Sequence, residues 1–213
     1  MTGLFVTLEG GEGTGKSTLC WALADAFSAR GLAHTVTREP GGTPVAEKVR
    51  EIALAPREEG PLSALAMALL MNAARADHLD KLIRPALSHG HIVLCDRFSD
   101  STRAYQSVQG GVSHSTLLSL EEAVVGETRP DLTLLLDTDP AALLDRRRAR
   151  GGPVDVFEGK QMAFHQAIRD AFLSIAEGSG GRIAVLDALR PPSEIAAQAL
   201  SLIEARRVAK DAP

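Results

Sequence analysis

Cysteine is almost missing from this chain. Cys20 and Cys95 are the only two, too few for a disulfide framework or a four-thiolate zinc site. Aromatic residues make up only 4% of it, so the core must be built from Leu, Val, Ile and Ala, and few rings are left to stack on single-stranded nucleic acid. No apolar run approaches the roughly 18–20 residues of a membrane span; the longest, Ala64–Met71, is core-helix length. Neither sign of charge dominates, since 23 Lys+Arg stand against 27 Asp+Glu for a net charge of −4. That argues against the broad basic face of a duplex nucleic-acid binder. Met1-Thr2-Gly3-Leu4-Phe5-Val6 lacks the basic and long apolar regions of a signal peptide, so a reducing cytoplasm is the expected address. Asn72 is the single asparagine and is followed by Ala73-Ala74, which excludes the Asn-Lys-x-Asp motif with which switch GTPases read guanine.

What is present describes one globular unit. The 213 residues are 45% hydrophobic, enough for a single core over residues 1–213 and too short for the second subdomain of a motor ATPase. Short apolar runs at Leu4–Leu8, Thr35–Thr37, His91–Cys95, Leu132–Leu136 and Arg182–Leu186 read as strands. Helical periodicity covers Lys16–Arg30, Pro44–Ala55, Pro61–Ser88, Ser115–Val125, Pro140–Arg150, Gly159–Glu177 and Pro192–Val208. Pro85 is expected to kink or end the third of these helices. Residues 204–213 are expected to fray, and no element is predicted between Arg97 and His114. Strands apolar on both faces that alternate with helices predict an α/β, three-layer fold with a parallel sheet covered on both sides.

Gly10-Gly11-Glu12-Gly13-Thr14-Gly15-Lys16-Ser17 fits G-x-x-x-x-G-K-[ST] between a predicted strand and a helix. Glycines let the backbone wrap with its N–H groups inward, at the positive end of the following helix. Lys16 supplies a cation for the β- and γ-phosphates, the Ser17 hydroxyl a ligand for Mg²⁺, and Thr18 opens the helix beside them. The acidic partner of that metal should end a neighbouring strand, which leaves Asp96 and Asp137. Asp96 is preferred because Arg97 follows it, whereas Asp137 can cap the helix that begins at Pro140. Arg38, Arg97 and the run Arg146, Arg147, Arg148 and Arg150 sit at strand or helix ends. One phosphate cradle does not need so many cations; a second anionic substrate beside it would. The alternatives for the run are a helix C-terminus decorated with positive charge, or a nucleic-acid patch.

These residues carry a resemblance. Phe5–Thr18, Thr37-Arg38-Glu39-Pro40-Gly41-Gly42-Thr43, Ala73-Ala74-Arg75, Asp96-Arg97-Phe98 with Ser101-Thr102 and Ala104-Tyr105-Gln106, and Arg129-Pro130-Asp131-Leu132 through Asp137 are similar, in order and spacing, to the bacterial thymidylate kinases. The similarity runs over about residues 4–203. It implies a P-loop fold with a five-stranded sheet of order 2-3-1-4-5, Mg²⁺-dependent transfer of the ATP γ-phosphoryl group to dTMP, and a cytoplasmic homodimer. It further implies that Arg38 and Arg97 hold the acceptor phosphate, with Glu39 and Asp96 near the metal and its waters. Arg75 would reach the thymine edge with help from Thr102. Tyr105 would pack on the deoxyribose, with Ser101, Gln106 and Glu12 also on the substrate side.

The attacking atom in such a reaction is already an anionic phosphate oxygen, so no general base is required. The six histidines, His34, His78, His89, His91, His114 and His165, show no ligand or triad spacing and are read as mostly surface or loop residues. No arginine lies between Gly10 and Ser17. Members of that family carry a catalytic arginine either in this stretch or on a flap, so the resemblance implies a flap arginine at about residues 146–158, with Arg150 the first choice and Arg146 the second. Two positions depart from the family pattern. Met71 stands where many relatives carry an aromatic ring, and serves either as a base contact or as core filler. Val156 stands where relatives often carry a basic residue. The competing readings are a nucleotide kinase with another base preference and an ATP-dependent switch without an acceptor.

Overall fold

The computed structural model describes residues 3–58, 60–149 and 162–211, with the side chains of residues 145–149 outside the description. Its centre is a parallel sheet of β1 (Leu4–Gly10), β2 (His34–Arg38), β3 (Ile92–Asp96), β4 (Leu132–Asp137) and β5 (Ile183–Asp187). The strand order is β2-β3-β1-β4-β5, as the resemblance implies. Helices α1 (Lys16–Ala29), α2 (Pro44–Leu54), α3 (Ala64–His78), α4 (Arg84–Ser88), α5 (Ser99–Gln109), α6 (His114–Val125), α7 (Pro140–Ala149), α8 (Met162–Glu177) and α9 (Pro192–Asp211) make the connections.

Alternation along the strands decides which helices lie on which face. Leu4, Val6 and Leu8 point one way, with Leu94, Leu134 and Leu136, into a layer formed by Leu19, Leu23 and Phe27 of α1 and Ile195, Ala199 and Ile203 of α9. Phe5, Val93 and Cys95 point the other way, against Leu79, Ile83 and Val125. Leu135 meets Ala104 of α5 and Ile168 and Phe172 of α8. Burying each large side chain contributes roughly 1.5–3 kcal/mol. By the same parity Thr7 and Glu9 face α5, a point that matters for the site.

Three elements differ from expectation. The helix predicted from Pro61 begins instead at Ala64, because Ser63 caps it by accepting the Ala66 N–H (3.2 Å). It does not break at Pro85. A π-helical turn, Leu79–Ile83, joins α3 to α4, which carries Pro85 in its first turn. The wider turn accommodates the missing N–H and keeps Leu79 and Ile83 in the core. Helix α5 arises where no element was predicted, because its buried face is Ser99, Asp100, Thr102, Ala104 and Gln106, a polar stripe invisible to hydrophobic periodicity. Where fraying was expected from residue 204, α9 runs on to Asp211. Lys210 Nζ donates to the Gly3 carbonyl (2.9 Å) and to Asp131 (2.7 Å), and Asp131 in turn accepts the Phe5 N–H (2.8 Å).

Candidate active site

The C-terminal ends of β1, β2 and β3 converge on one edge of the sheet, where ligands of open α/β folds bind. Gly10 leaves β1 at φ 135°, and a Cβ there would come within 2.4 Å of the Leu136 carbonyl. The loop thus passes β4 more closely than any side chain allows. Lys16 folds back over it and donates to the carbonyls of Gly10 (3.1 Å) and Gly11 (2.8 Å). Burial, helped by Arg97 nearby, pulls its ammonium down to about 8. Thr14 Oγ1 donates to the Gly11 carbonyl (3.0 Å). Beside the loop lies a cavity of about 130 Å³, lined by Gly13, Gly15, Thr18, Leu19, Ala188 and Ile195.

Ser17 Oγ donates to Asp96 Oδ2 (2.7 Å). Asp96 Oδ1 is buried with no hydrogen-bond partner among the described residues. A buried carboxylate oxygen left unpaired is costly, and a hydroxyl beside it completes a pair of hard oxygen donors. That donor set fits Mg²⁺, which takes one or two protein ligands and keeps its waters. Glu39 is oriented differently. Its N–H donates to the Asp96 carbonyl (2.9 Å), but its carboxylate turns to α3, where Arg75 Nε (2.8 Å) and His78 Nδ1 (3.1 Å) engage the two oxygens.

Arg97 has a positive φ of 67°, a strained value for a side-chain-bearing residue and one that clusters at functional sites. Its Nη1 donates to the Gly10 carbonyl (3.2 Å) and to Ser101 Oγ (3.0 Å). The guanidinium also lies over the Tyr105 ring, 5.3 Å from its centroid. One cation therefore touches both the cradle and α5. Arg38 stands apart, half-exposed, with Nη2 on Glu47 Oε1 (3.0 Å); Glu47 also accepts the Gly42 N–H (3.0 Å).

Arg75 is 2% exposed. Besides Glu39 it reaches Thr102 Oγ1 (2.9 Å) and Asn72 Oδ1 (3.3 Å), and it lies over the Phe98 ring. The structure thus brings Arg75 and Thr102 together. Gln106 is buried close by on the same helix, and Met71 is half-buried one turn before Arg75.

A thymidylate kinase family model matches residues 8–199. The chain belongs to the thymidylate kinase family. It is 48% identical over 197 residues to the thymidylate kinase of Pseudomonas syringae pv. tomato, covering 92% of this chain and 93% of that one. To the thymidylate kinase of Magnetococcus marinus it is 44% identical over 206 residues, covering 97% and 98%. The crystal structure of thymidylate kinase from Ehrlichia chaffeensis superposes with a TM-score of 0.74 at 29% identity, over 95% of this chain and 99% of that one.

In this thymidylate kinase family member several polar groups near the site escape motif reading. His78, one of the six histidines read as mostly surface or loop residues, is fully buried; its Nε2 contacts Thr37 Oγ1 (2.7 Å). Gly42, at φ 87°, has no room for a Cβ, which would come within 2.5 Å of that same ring nitrogen. The i, i+3 spacing from Arg75 was the available signal for His78. Glu9 is buried at the end of β1, and burial, aided by Asp100, pushes its carboxyl up to about 7; strand alternation was the signal there. Asp137 does not cap α7. Asp139 does, accepting the Ala141 N–H (2.8 Å), while Arg169 of α8 grips both Asp137 oxygens (2.8 and 2.9 Å). Of the flap residues, Arg150 and Val156 lie outside the described residues, as do the side chains of Arg146, Arg147 and Arg148.

Proposed function

We propose that the phosphorylation of dTMP by ATP in this chain is carried out at the joint between the cradle and α5, with Arg97 as the shared cation. The single observation that carries this is the pair of Arg97 Nη1 contacts, 3.2 Å to Gly10 of the loop and 3.0 Å to Ser101 of α5. A donor phosphate chain wrapped by the N–H groups of residues 10–18 would end beside that guanidinium. An acceptor phosphate held by Arg97, and by Arg38 once it leaves Glu47, would face it in line. The nucleophile is an ionised phosphate oxygen, so positioning and charge neutralisation do the work that a base does elsewhere. Lys16, parked on loop carbonyls, would move onto the β- and γ-phosphates, whose charge restores the proton affinity that burial removes.

Mg²⁺ would be held by the Ser17 hydroxyl and the Asp96 carboxylate and would supply positive charge to the transferring phosphoryl group. Glu39 acts one step away, orienting Arg75 against the thymine edge with Thr102, while Tyr105 packs on the deoxyribose and Gln106 lines the same side. Glu12, exposed in the loop, is assigned to the substrate side. The adenine ring fits the cavity between the loop, α1 and the start of α9. Arg150 is assigned as the cationic finger of the flap. The protein acts in the cytoplasm as a homodimer; Val45 and Ile52 of α2, Leu65 and Leu69 of α3, and Leu118 of α6 are exposed apolar side chains on neighbouring helices. Among the described residues no helix is long and apolar enough to cross a membrane. ADP release measured with dTMP, dUMP, UMP, dCMP and thymidine as acceptors tests the reading. A clear preference for dTMP is expected, and equal rates across the panel would contradict it.

A further inference from the structure

Glu9 takes no part in the chemistry described so far, yet it is among the most enclosed charged groups in the molecule, 1% exposed. Three donors converge on its carboxylate: Phe98 N–H (2.8 Å) and Ser101 N–H (3.1 Å) on Oε1, and the Ser101 hydroxyl (2.6 Å) on Oε2. The first two are N-terminal amides of α5. Phe98, the N-cap residue, offers no side-chain cap, so a carboxylate reaching over from β1 takes that place. The turn it steadies includes Arg97 at its left-handed φ, whose own N–H is fixed on the Leu8 carbonyl (2.9 Å).

The third donor carries the consequence. Once ionised, at pH above about 7, the Glu9 carboxylate only accepts, so the Ser101 proton points at it. The lone pairs of Ser101 Oγ are then left for Arg97 Nη1, 3.0 Å away. Without Glu9 that hydroxyl is a free rotor, able to turn its proton towards the cation. We propose that Glu9 is a positioning residue for acceptor-phosphate binding, fixing the polarity of Ser101 and through it the Arg97 guanidinium. The proposal rests on Arg97 gripping the acceptor phosphate, and adds to it the group that sets its aim.

The test uses Glu9→Gln, Ser101→Ala, their combination and Arg97→Ala, with steady-state kinetics for both substrates and a melting temperature for each protein. Glu9→Gln keeps a carbonyl for the two amides but presents an N–H₂ to Ser101, so it spares the cap and reverses the hydroxyl. Glu9→Gln and Ser101→Ala are each expected to raise KM for dTMP about tenfold, with KM for ATP changed less than about twofold. The double variant should be no worse than the weaker single one, because both break one link. The proposal is overturned if Glu9→Gln leaves KM for dTMP unchanged while Arg97→Ala raises it, if it weakens both substrates equally, or if its effect adds to that of Ser101→Ala. An unchanged KM for dTMP in Arg97→Ala would overturn the acceptor role of Arg97 itself, and the proposal with it. Should Glu9→Gln fail to accumulate, Ser101→Ala still reads the link, since the backbone cap on Glu9 remains.

Discussion

Two buried ionisable side chains at the cradle have their titration shifted by burial, which disfavours the charged form of each. Lys16 is pulled down to about 8 mainly by burial, so its charge opposes stability at neutral pH. Lys16→Ala is therefore expected to lower kcat by about 10²–10³, from loss of a cation aimed at developing charge, without lowering the melting temperature. A coupled ADP-release assay beside a thermal melt checks both halves. Glu9 is raised from 4.5 to about 7 by burial and by Asp100. A carboxyl whose folded pKa exceeds its unfolded one stabilises most below the unfolded value, and that stability disappears as pH climbs through the folded value. The window is thus pH 4.5 to 7, with a loss on the order of 3 kcal/mol. Urea unfolding at pH 5 and pH 8 should show wild type losing stability between them relative to Glu9→Gln. A parallel response of the two proteins would show that Glu9 does not titrate there.

At the scale of elements, α5 explains where sequence reading stops. The strands were legible because β1, β3 and β4 are apolar on both faces, and the cradle because its glycines have a mechanism attached to their spacing. Helix α5 gives no such signal. It rests on hydrogen bonds: Arg182 grips both oxygens of Asp100 (2.8 and 2.9 Å) and donates to Thr133 Oγ1 (2.7 Å), and Thr133 meets Thr7 Oγ1 (2.7 Å). Yet this polar-backed helix carries Ser101, Thr102, Tyr105 and Gln106, all singled out by resemblance to a family. Their identities were therefore readable before their element was. The groups behind them, Glu9, Asp100 and His78, were not, because pairing across the sheet is a long-range property. Arg182→Ala leaves the buried Asp100 with only the longer contact to Arg103 (3.5 Å) and should cost about 3–5 kcal/mol in urea unfolding. A loss under about 1 kcal/mol would mean α5 is held by its apolar contacts instead.

The whole molecule follows from strand order and parity. Placing β1 between β3 and β4 brings the cradle beside Asp96 and Arg97 on one side and Leu136 on the other, so all of them share one edge of the sheet. Strand parity then aims Glu9 under α5. Closure of the chain by Lys210 on Gly3 and Asp131 ties the last helix to the first strand, where composition alone suggested a loose tail. The apolar side chains left outside, Leu65 and Leu69 above all, lie i, i+4 on α3, and Leu69→Glu should convert a dimer to a monomer without unfolding it. Light scattering on an eluting peak reads that directly; a wild-type monomer would contradict the dimer assignment.

The role proposed for Arg97, leaning on the cradle and on α5, is to hold the phosphate that receives the transferred group. Calorimetric titration of dTMP into Arg97→Ala, with a non-hydrolysable ATP analogue as internal control, tests it most directly. Loss of a charged hydrogen-bonding partner predicts dTMP binding weaker by about tenfold to a hundredfold with analogue binding retained. Undiminished dTMP affinity in that variant would contradict the account.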